Sequence, residues 1–274
     1  MYKRQEYIHN GQGPQPFFWR APTDNDYGAK LPTRLKAWRE ASYQTPKAES
    51  FNVSKDGDKS IVKVTYRFPQ VDAQWEITYK VFANGIIKVD NRFVAEGTET
   101  PMIPRVGLRM QLSEILNDLT YYGRGPEENY RDRRTSQFIG EYTTPIKDLY
   151  EPYIRPQENE HRTDIYWCAL TTKQKAGLLF IADRTFELNA SNYLLGSLDS
   201  GETIDNGAPR TNETNHRHLT DPQPVKQVDM FIDYRMMGVG GDNSWGAIAH
   251  EPYLIRPGVE TVSYTHLRAH ETSA

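Results

Sequence analysis

Cysteine is almost absent from this 274-residue sequence, which contains Cys168 alone. A single thiol cannot form an intrachain disulfide, so the chain does not belong to the class of small domains held together by disulfide frameworks. The neighbours Trp167, Ala169 and Leu170 predict that Cys168 is a small buried hydrophobic side chain rather than a reactive thiol. We therefore expect no function that depends on cysteine chemistry.

Long apolar runs and basic clusters are also missing. No stretch approaches the roughly 20 apolar residues of a membrane-spanning helix, and the first residues (MYKRQE) lack the pattern of a signal peptide. The formal net charge is −3 and there is no polybasic run, which argues against nucleic acid and anionic membranes as partners. The sequence fits a cytoplasmic and a periplasmic location equally well.

Alternation of apolar and polar residues is the strongest pattern present. Four runs alternate with a period of two, as strands with one buried face do. They are residues 60–68, 75–81, 87–93 and 106–112. Four further predicted strands are residues 166–170, 177–182, 187–191 and 228–234. Asn84-Gly85 predicts a type I′ hairpin. The fold class that follows is all-β, a many-stranded antiparallel fold in one domain.

One short helix near residues 32–41 interrupts the predicted strands. Leu31, Leu35 and Trp38 recur at helical spacing, and Pro32 suits the first turn of a helix. Just before it, the acidic run at residues 24–26 is interpreted as a tight polar turn, because it lacks the remaining oxygen ligands of a calcium loop.

Two aromatic segments, residues 121–133 and 152–162, are densely charged. Both could line a polar ligand cleft. The alternative is that their arginines and glutamates pair with each other and pin long loops across the sheet. We favour this alternative, because loops with so many charges usually need internal partners.

A glycine-rich segment, residues 237–245, follows the last predicted internal strand and ends in Trp245. Glycine lets the backbone approach another surface closely, and Asp242, Asn243 and Ser244 favour a turn over continued strand pairing. Trp245 at the tip of such a loop either stacks on a flat ligand or folds back under its own loop. The residues alone do not decide between these two interpretations.

No complete catalytic set can be assembled from this sequence. Retaining glycoside hydrolysis needs two carboxyl groups about 5–5.5 Å apart, and neither Glu127 with Glu128 nor Glu158 with Glu160 is placed persuasively. A nucleophile elbow, a phosphate-binding loop and a zinc-protease helix are all absent. The histidines of residues 215–219 are interpreted as structural rather than as zinc ligands. A ligand-facing loop without catalytic residues predicts a part of an enzyme.

Five segments in order then resemble one family. They are FWRAPTDNDYG (18–28), YGRGPEENY (122–130), PY with PQEN (152–159), NHRHL (215–219) and GVGGDNSW (238–245). Together they resemble the C-terminal small-chain domain, domain 5, of LacZ-type β-galactosidases of glycoside hydrolase family 2. The resemblance runs from about residue 12 to about residue 262 and implies a large antiparallel supersandwich like that of galactose mutarotase.

The resemblance also implies a division of labour. The nucleophile, the acid/base glutamate and the catalytic magnesium and sodium sites would lie in a preceding barrel, so this chain would carry no catalytic residue and no metal. Trp245 would stack on the sugar at the active-site mouth, beside Asp242, Asn243 and Ser244, and a mobile loop would begin at Gly28. The complete enzyme would be an oligomer that hydrolyses terminal β-D-galactosides with retention, and this chain alone would be inactive.

Two other functions compete with that interpretation. An aldose 1-epimerase shares the fold and uses a histidine pair with a carboxylate, for which His216 and His218 are candidates despite their tight spacing. A free carbohydrate-binding module would bind galactosides without any partner. For domain boundaries, we expect a supersandwich over residues 1–262 with its first strand cut at Met1. Residues 263–274 lose strand alternation and are expected to be an atypical tail, either a disordered end or a stretch foreign to the parent protein.

Overall fold

The computed structural model describes residues 6–97, 100–199, 218–243 and 245–270, with backbone alone for residues 261–270. Within these ranges the strands are β1 (Gln15–Phe17), β2 (Ala48–Asp56), β3 (Lys59–Phe68), β4 (Ala73–Val81), β5 (Ile86–Ala95), β6 (Arg105–Ser113), β7 (Asp118–Gly125), β8 (Phe138–Pro145), β9 (Arg162–Thr171), β10 (Gly177–Ser191), β11 (Gln227–Met236) and β12 (Gly258–His270). The helices are α1 (Asp24–Gly28), α2 (Leu31–Arg34), α3 (Lys36–Tyr43) and α4 (Leu195–Leu198). The predicted all-β class is confirmed. None of the helices described is long and apolar enough to cross a membrane.

Antiparallel pairing joins the described strands in the order β1-β6-β11-β10-β12-β5-β4-β3-β2, and β7 pairs with β8 and β9. Strands β2 to β5 pair in sequence order, so three of the four alternating runs, now β3, β4 and β5, form the antiparallel meander expected of them. The fourth run, β6, was expected to continue this meander but pairs with β1 and β11 instead. Strand β10 pairs with different strands along its length. Its first half pairs with β12 and its second half with β11. Strand β9 pairs with both halves of β10, with register shifts between Ile181 and Leu188.

Two large hydrophobic clusters form most of the core in the described residues. The larger one combines side chains of β1, β3 to β6 and β11 with those of α2 and α3. The second combines side chains of β6, β7, β9, β10 and β11. Strand β6 contributes Val106 and Leu108 to the first cluster and Met110 and Leu112 to the second. Strand β6 therefore contributes buried side chains to both clusters.

Phe18 is the centre of the larger cluster and fixes the chain that leads to α1. Its ring lies 4.9 to 5.6 Å from the rings of Trp38, Phe68, Trp75 and Phe93. Such tilted and edge-to-face arrangements are the preferred geometry of aromatic pairs. The residues immediately after Phe18 are consequently held in place by the core.

The helical region agrees with the predicted helix near residues 32–41, with one break. Leu35 separates α2 from α3, and Pro32 lies in the first turn of α2. The turn predicted at residues 24–26 is wrong, because these residues form α1. Thr23 caps this helix: its side chain accepts a hydrogen bond from the Asp26 amide, and the Asp26 carboxylate accepts one from the Thr23 amide. This reciprocal capping stabilises even one helical turn.

Three local features differ from the sequence predictions. Only Gly85 of the Asn84-Gly85 pair has a positive φ, so the loop between β4 and β5 is not the predicted type I′ turn, which needs two such residues. Residues 121–125, the start of a segment predicted to be a loop, belong to β7. Strand β12 continues to His270 and stays paired with β5 as far as Arg268, because pairing needs only backbone groups. The division of the chain at residue 262 remains a prediction.

Candidate functional site

Residues 237–246 leave the end of β11 and form a loop that we call the tryptophan loop. Its first part, the base (residues 237–241), begins in the core. Met237 is buried, and its amide donates to the Pro104 carbonyl at 2.9 Å. The Gly238 amide donates to the Tyr253 carbonyl at 2.8 Å. The base is thus attached on two sides to the sandwich.

Asp132 holds the next part of the base. One carboxylate oxygen accepts a hydrogen bond from the Val239 amide at 3.1 Å, and the other accepts one from the Gly240 amide at 2.7 Å. A Cβ added to Gly238 would lie 2.5 Å from an Asp132 oxygen, a distance that only glycine avoids. The glycine at 238 therefore allows the backbone to reach this carboxylate.

Helix α1 and the residues before it support the base from the opposite side. Arg20 and Asp26 form a buried ion pair with two hydrogen bonds of 2.6 and 2.9 Å. The same guanidinium donates to the Gly238 carbonyl at 3.2 Å, and the Asn25 side chain reaches the Val239 carbonyl at 3.5 Å. Bidentate arginine–carboxylate pairs have a fixed geometry, so α1 and the base form one unit.

The tip of the tryptophan loop (residues 242–246) differs sharply from the base. Trp245 is 91% exposed, so its ring is presented to solvent and does not fold back under the loop. Its amide donates to the Asn243 side chain at 2.9 Å, and Asp242 pairs with His250 at 2.9 Å on the surface. Ser244, the remaining predicted site residue, lies outside the described residues.

Gly28 lies beside this tip. It is the last residue of α1, and its carbonyl oxygen is 4.0 Å from the position that a Cβ on Gly246 would occupy. The structure thus brings together Gly28 and Trp245, two predicted site residues that are far apart in sequence. Movement of the loop that begins at Gly28 stays a prediction.

A buried layer of charged side chains supports the site from below. Arg105 is fully buried and contacts Asn189 at 2.8 Å, Asp233 at 3.2 Å and Glu158 at 3.3 Å. Glu158 also accepts a hydrogen bond from the Ala21 amide, just before α1. Burial raises the pKa of Asp233 to about 7, although the positive charge of Arg105 opposes this shift.

His161 joins this layer to the end of β11. Its two ring nitrogens lie 2.8 Å from Asn189 and 3.1 Å from Glu187, and Glu187 also accepts the Met236 amide at 2.7 Å. Burial by itself would lower the pKa of His161, but the hydrogen bond and the charge of Glu187 outweigh it, so the pKa is raised. The contacts of His161 and Glu187 therefore fix the strand end from which the tryptophan loop departs.

The two charged segments behave as the favoured interpretation predicts. Arg133 pairs with Glu128, Arg124 and Arg134 both pair with Asp164, and Arg131 pairs with Glu187. These arginines pin the loops by internal ion pairs. Sequence reasoning did not identify Asp132, which lies among them, as part of the site. The sequence shows only that Asp132 lies between two arginines. In the structure, both of these arginines pair with other acidic residues.

The remaining candidate residues lie away from the tip or outside the described residues. Cys168 is buried, as predicted, and burial raises the pKa of its thiol. His218 is exposed in a turn, and its amide donates to Asp221. His216 lies outside the described residues, so the epimerase-type histidine pair stays a prediction. In the described part of the chain, no group of three or more His, Cys, Asp or Glu side chains could hold a metal ion.

Two solved structures match this chain at low sequence identity. The galactosidase domain of the α-galactosidase-sucrose kinase AgaSK matches with a TM-score of 0.41 and 11% identity, covering 82% of this chain and 27% of that one. Galactose 1-epimerase from Lactobacillus acidophilus matches with a TM-score of 0.39 and 8% identity, covering 79% and 65%.

Comparison of sequences is more informative. The chain is 33% identical over 254 residues to a β-galactosidase of Priestia megaterium and 31% identical over 258 residues to one of Streptococcus thermophilus. Each match covers 93% of this chain but 23% of the relative, so the chain spans about a quarter of the length of these curated relatives. A family model described as β-galactosidase small chain matches residues 1–267. The chain belongs to the β-galactosidase small-chain family.

Proposed function

We propose that this chain is the part of a β-galactosidase that completes the mouth of the active site and binds substrate through Trp245. The observation that carries the proposal is the contrast within one loop. Trp245 is 91% exposed, yet the base five residues earlier is tied to the sandwich, to Asp132 and to Arg20. An indole held out on a fixed support is suited to stacking on the apolar C–H face of a sugar ring.

The chemistry would come from the rest of the enzyme. Retaining hydrolysis of a terminal β-D-galactoside uses one carboxylate as nucleophile and a second carboxyl group as acid and base, through a galactosyl-enzyme intermediate. These glutamates, as well as the magnesium and sodium ions of the complete family 2 enzyme, belong to the catalytic portion in this proposal. The contribution of this chain is to bind and orient the sugar and to exclude water from one side of it.

Around Trp245, neighbouring groups give the proposed subsite a polar rim. Asp242 and His250 are both exposed and lie within hydrogen-bond distance of each other, and Asn243 accepts the Trp245 amide. Aromatic stacking supplies an apolar surface, while such polar groups fix the orientation of a ligand. Asp242, Asn243 and Ser244 are therefore proposed as secondary substrate contacts, and the loop that begins at Gly28 as the segment that moves when the ligand is bound.

The test uses the assembled enzyme, in which this chain is combined with the catalytic portion of its own protein or of the Priestia megaterium relative. Trp245→Ala should raise KM for a chromogenic galactoside about tenfold, which corresponds to about 1.4 kcal/mol. The change in kcat should be smaller, because stacking contributes to binding in both the ground state and the transition state. Trp245→Tyr, which keeps a flat ring, should give an intermediate KM.

Phe51→Ala is a matched control, since Phe51 is another exposed aromatic residue, 67% accessible, on β2. It should leave KM unchanged. An unchanged KM in Trp245→Ala would disprove the stacking role.

Assays of the chain without its partner separate the competing functions. We expect no galactoside hydrolysis by the chain alone. Mutarotation of galactose followed by polarimetry would instead indicate an epimerase, and calorimetric binding of lactose without a partner would indicate an independent carbohydrate-binding module. We propose that the complete enzyme is an oligomer whose compartment, cytoplasm or periplasm, is that of its catalytic portion.

A further inference from the structure

Asp132 lies at the apex of a tight turn whose two ends are joined to each other. Tyr130 and Arg133 exchange both backbone hydrogen bonds, at 3.0 and 2.8 Å. The Tyr130 ring is buried, and the Arg133 guanidinium lies 4.9 Å from its centre. This turn is therefore fixed by packing as well as by hydrogen bonds, and it leaves the Asp132 side chain little freedom to move.

Both neighbours of Asp132 point elsewhere and have their own acidic partners. Arg131 pairs with Glu187 at 3.3 Å, and Arg133 pairs with Glu128. Glu128 is itself held, because it also accepts hydrogen bonds from the Tyr153 hydroxyl and from the Glu160 amide. The Asp132 carboxylate is thus presented to the tryptophan loop by a turn that is anchored on both flanks.

The contact with the loop involves both carboxylate oxygens and two successive backbone amides, at Val239 and Gly240. Hydrogen bonds from backbone N–H groups to an ionised carboxylate are stronger than those between neutral groups. One residue later the loop closes on itself: a Cβ at Gly241 would lie 2.6 Å from the Ala247 carbonyl oxygen. Asp132 therefore contacts the last part of the base, which we call the neck of the loop (residues 239–241). The tip follows immediately.

Past this neck, the hydrogen bonds of the tip that the structure describes lie on the surface. The Trp245 amide contacts Asn243, and Asp242 contacts a largely exposed His250. Exposed pairs of this kind contribute little to rigidity. The direction in which the indole is presented consequently depends on how firmly the neck is held.

From this geometry we infer that Asp132 is a positioning residue for substrate binding, which sets the place of Trp245 at the active-site mouth by holding the Val239 and Gly240 amides. The inference rests on the proposed function of Trp245. Asp132 itself does not touch substrate. Its effect on substrate passes through the indole and disappears when the indole is removed.

A double-mutant cycle in the assembled enzyme tests this dependence. Asp132→Asn, which keeps one good acceptor, should raise KM three- to fivefold, and Asp132→Ala somewhat more, with kcat changed less than twofold. In a Trp245→Ala background, neither substitution should change KM further. A loss of equal size in both backgrounds would show that Asp132 acts on stability or chemistry in general and would overturn the inference.

Hydrogen exchange supplies a readout that does not depend on activity. In Asp132→Asn the amides of Val239 and Gly240 should exchange at least tenfold faster, while those of β11 keep their protection. Asp148→Asn is the matched control, because Asp148 is an exposed carboxylate at the end of a short 3₁₀ helix and pairs with Lys147 at the surface. It should alter neither exchange nor KM. Unchanged exchange at Val239 and Gly240 in Asp132→Asn would overturn the inference directly.

The two measurements also separate this inference from the proposed function. If Trp245→Ala alone leaves KM unchanged, the substrate role of Trp245 fails and the substrate role of Asp132 fails with it. Faster exchange in Asp132→Asn would then show only that Asp132 orders the loop. If Trp245→Ala raises KM but Asp132→Asn does not, the proposed function stands and the role of Asp132 alone is rejected.

Discussion

The base and the tip of the tryptophan loop are adjacent in sequence and opposite in their surroundings. Met237 is 2% exposed and Val239 is 7% exposed, whereas Trp245 is 91% exposed. Hydrogen bonds to the Pro104 and Tyr253 carbonyls and to the Asp132 carboxylate, and one from Arg20, account for the conformation of the base. No comparable set of contacts in the described chain accounts for the presence of an indole at the tip.

Other tryptophans make this contrast sharper. Trp19, Trp38 and Trp75 are all at most 3% exposed, and the indole N–H of each donates a hydrogen bond, to Asp199, Pro101 and Asn91 respectively. Tryptophan is a large apolar side chain that gains free energy when it is buried. Trp245 differs from these three in being almost fully exposed, which supports the proposal that it contacts a ligand outside this chain.

The largest effect expected from this comparison is on stability. Trp38→Ala should reduce the free energy of unfolding by about 3–5 kcal/mol, because it removes a fully buried side chain and leaves a cavity. Trp245→Ala should change it by less than about 0.5 kcal/mol, since exposed side chains contribute little. Urea denaturation of the two variants measures the difference. Comparable losses would mean that Trp245 packs against this chain in solution, and the contrast would be lost.

A smaller loss of stability is expected for a substitution in the base. Gly238→Ala should destabilise the chain by about 2 kcal/mol, because the new methyl group would meet the Asp132 carboxylate and the Ala249 Cβ at 2.5 and 2.9 Å. Gly196→Ala is the control: nothing lies within 4 Å of its added Cβ, and alanine favours the helix α4. In thermal unfolding, the melting temperature of Gly238→Ala should be well below that of the control. Equal melting temperatures would show that the base is not tightly fitted.

The smallest effect concerns pH and the charged layer beneath the base. Burial raises the pKa of Glu160 to about 8, although its hydrogen bond from Ser191 opposes the shift. The unfolded chain then releases this proton at lower pH than the folded chain does. Stability from this group is complete below about pH 4 and is lost as pH rises towards 8.

Glu160→Gln removes that titration. The decline in unfolding free energy between pH 5 and pH 8 should become shallower, because glutamine releases no proton from the unfolded chain in this range. Denaturation at several pH values measures this slope. A slope identical to that of the unchanged chain would show that Glu160 titrates normally in the folded state.

Much of the fold follows from local patterns, because period-two alternation reports directly which face of a strand is buried. The strands at 60–68, 75–81 and 87–93 were predictable for this reason, and so was the helix around Trp38. Strand β7 was not, because Gly123 and Gly125 interrupt its alternation. The structure explains these glycines: added Cβ atoms would lie 2.4 Å from Ile165 and 2.2 Å from Tyr121. Ile165 is 42 positions from Gly123, so no local pattern could predict this contact.

Only part of the candidate site could be predicted from the sequence. The exposure of Trp245 agrees with one of the two interpretations of a glycine-rich loop, and the internal pairing of arginines with acidic residues followed from their density. The contact between Asp132 and Gly240 spans 108 positions and leaves no local pattern. The single-turn helix α1 depends on Thr23 and on the buried partner Arg20, neither of which the acidic run itself discloses.

Solvent access to Trp245 in the assembled enzyme, with and without a bound galactoside, tests the central claim most directly. Acrylamide quenching of tryptophan fluorescence would be compared between the unchanged enzyme and Trp245→Phe, so that the difference isolates this one indole. We predict that a saturating, non-hydrolysed galactoside protects Trp245 strongly and has no such effect in Trp245→Phe. Equal quenching of Trp245 with and without the ligand would contradict the proposal that it stacks on the sugar.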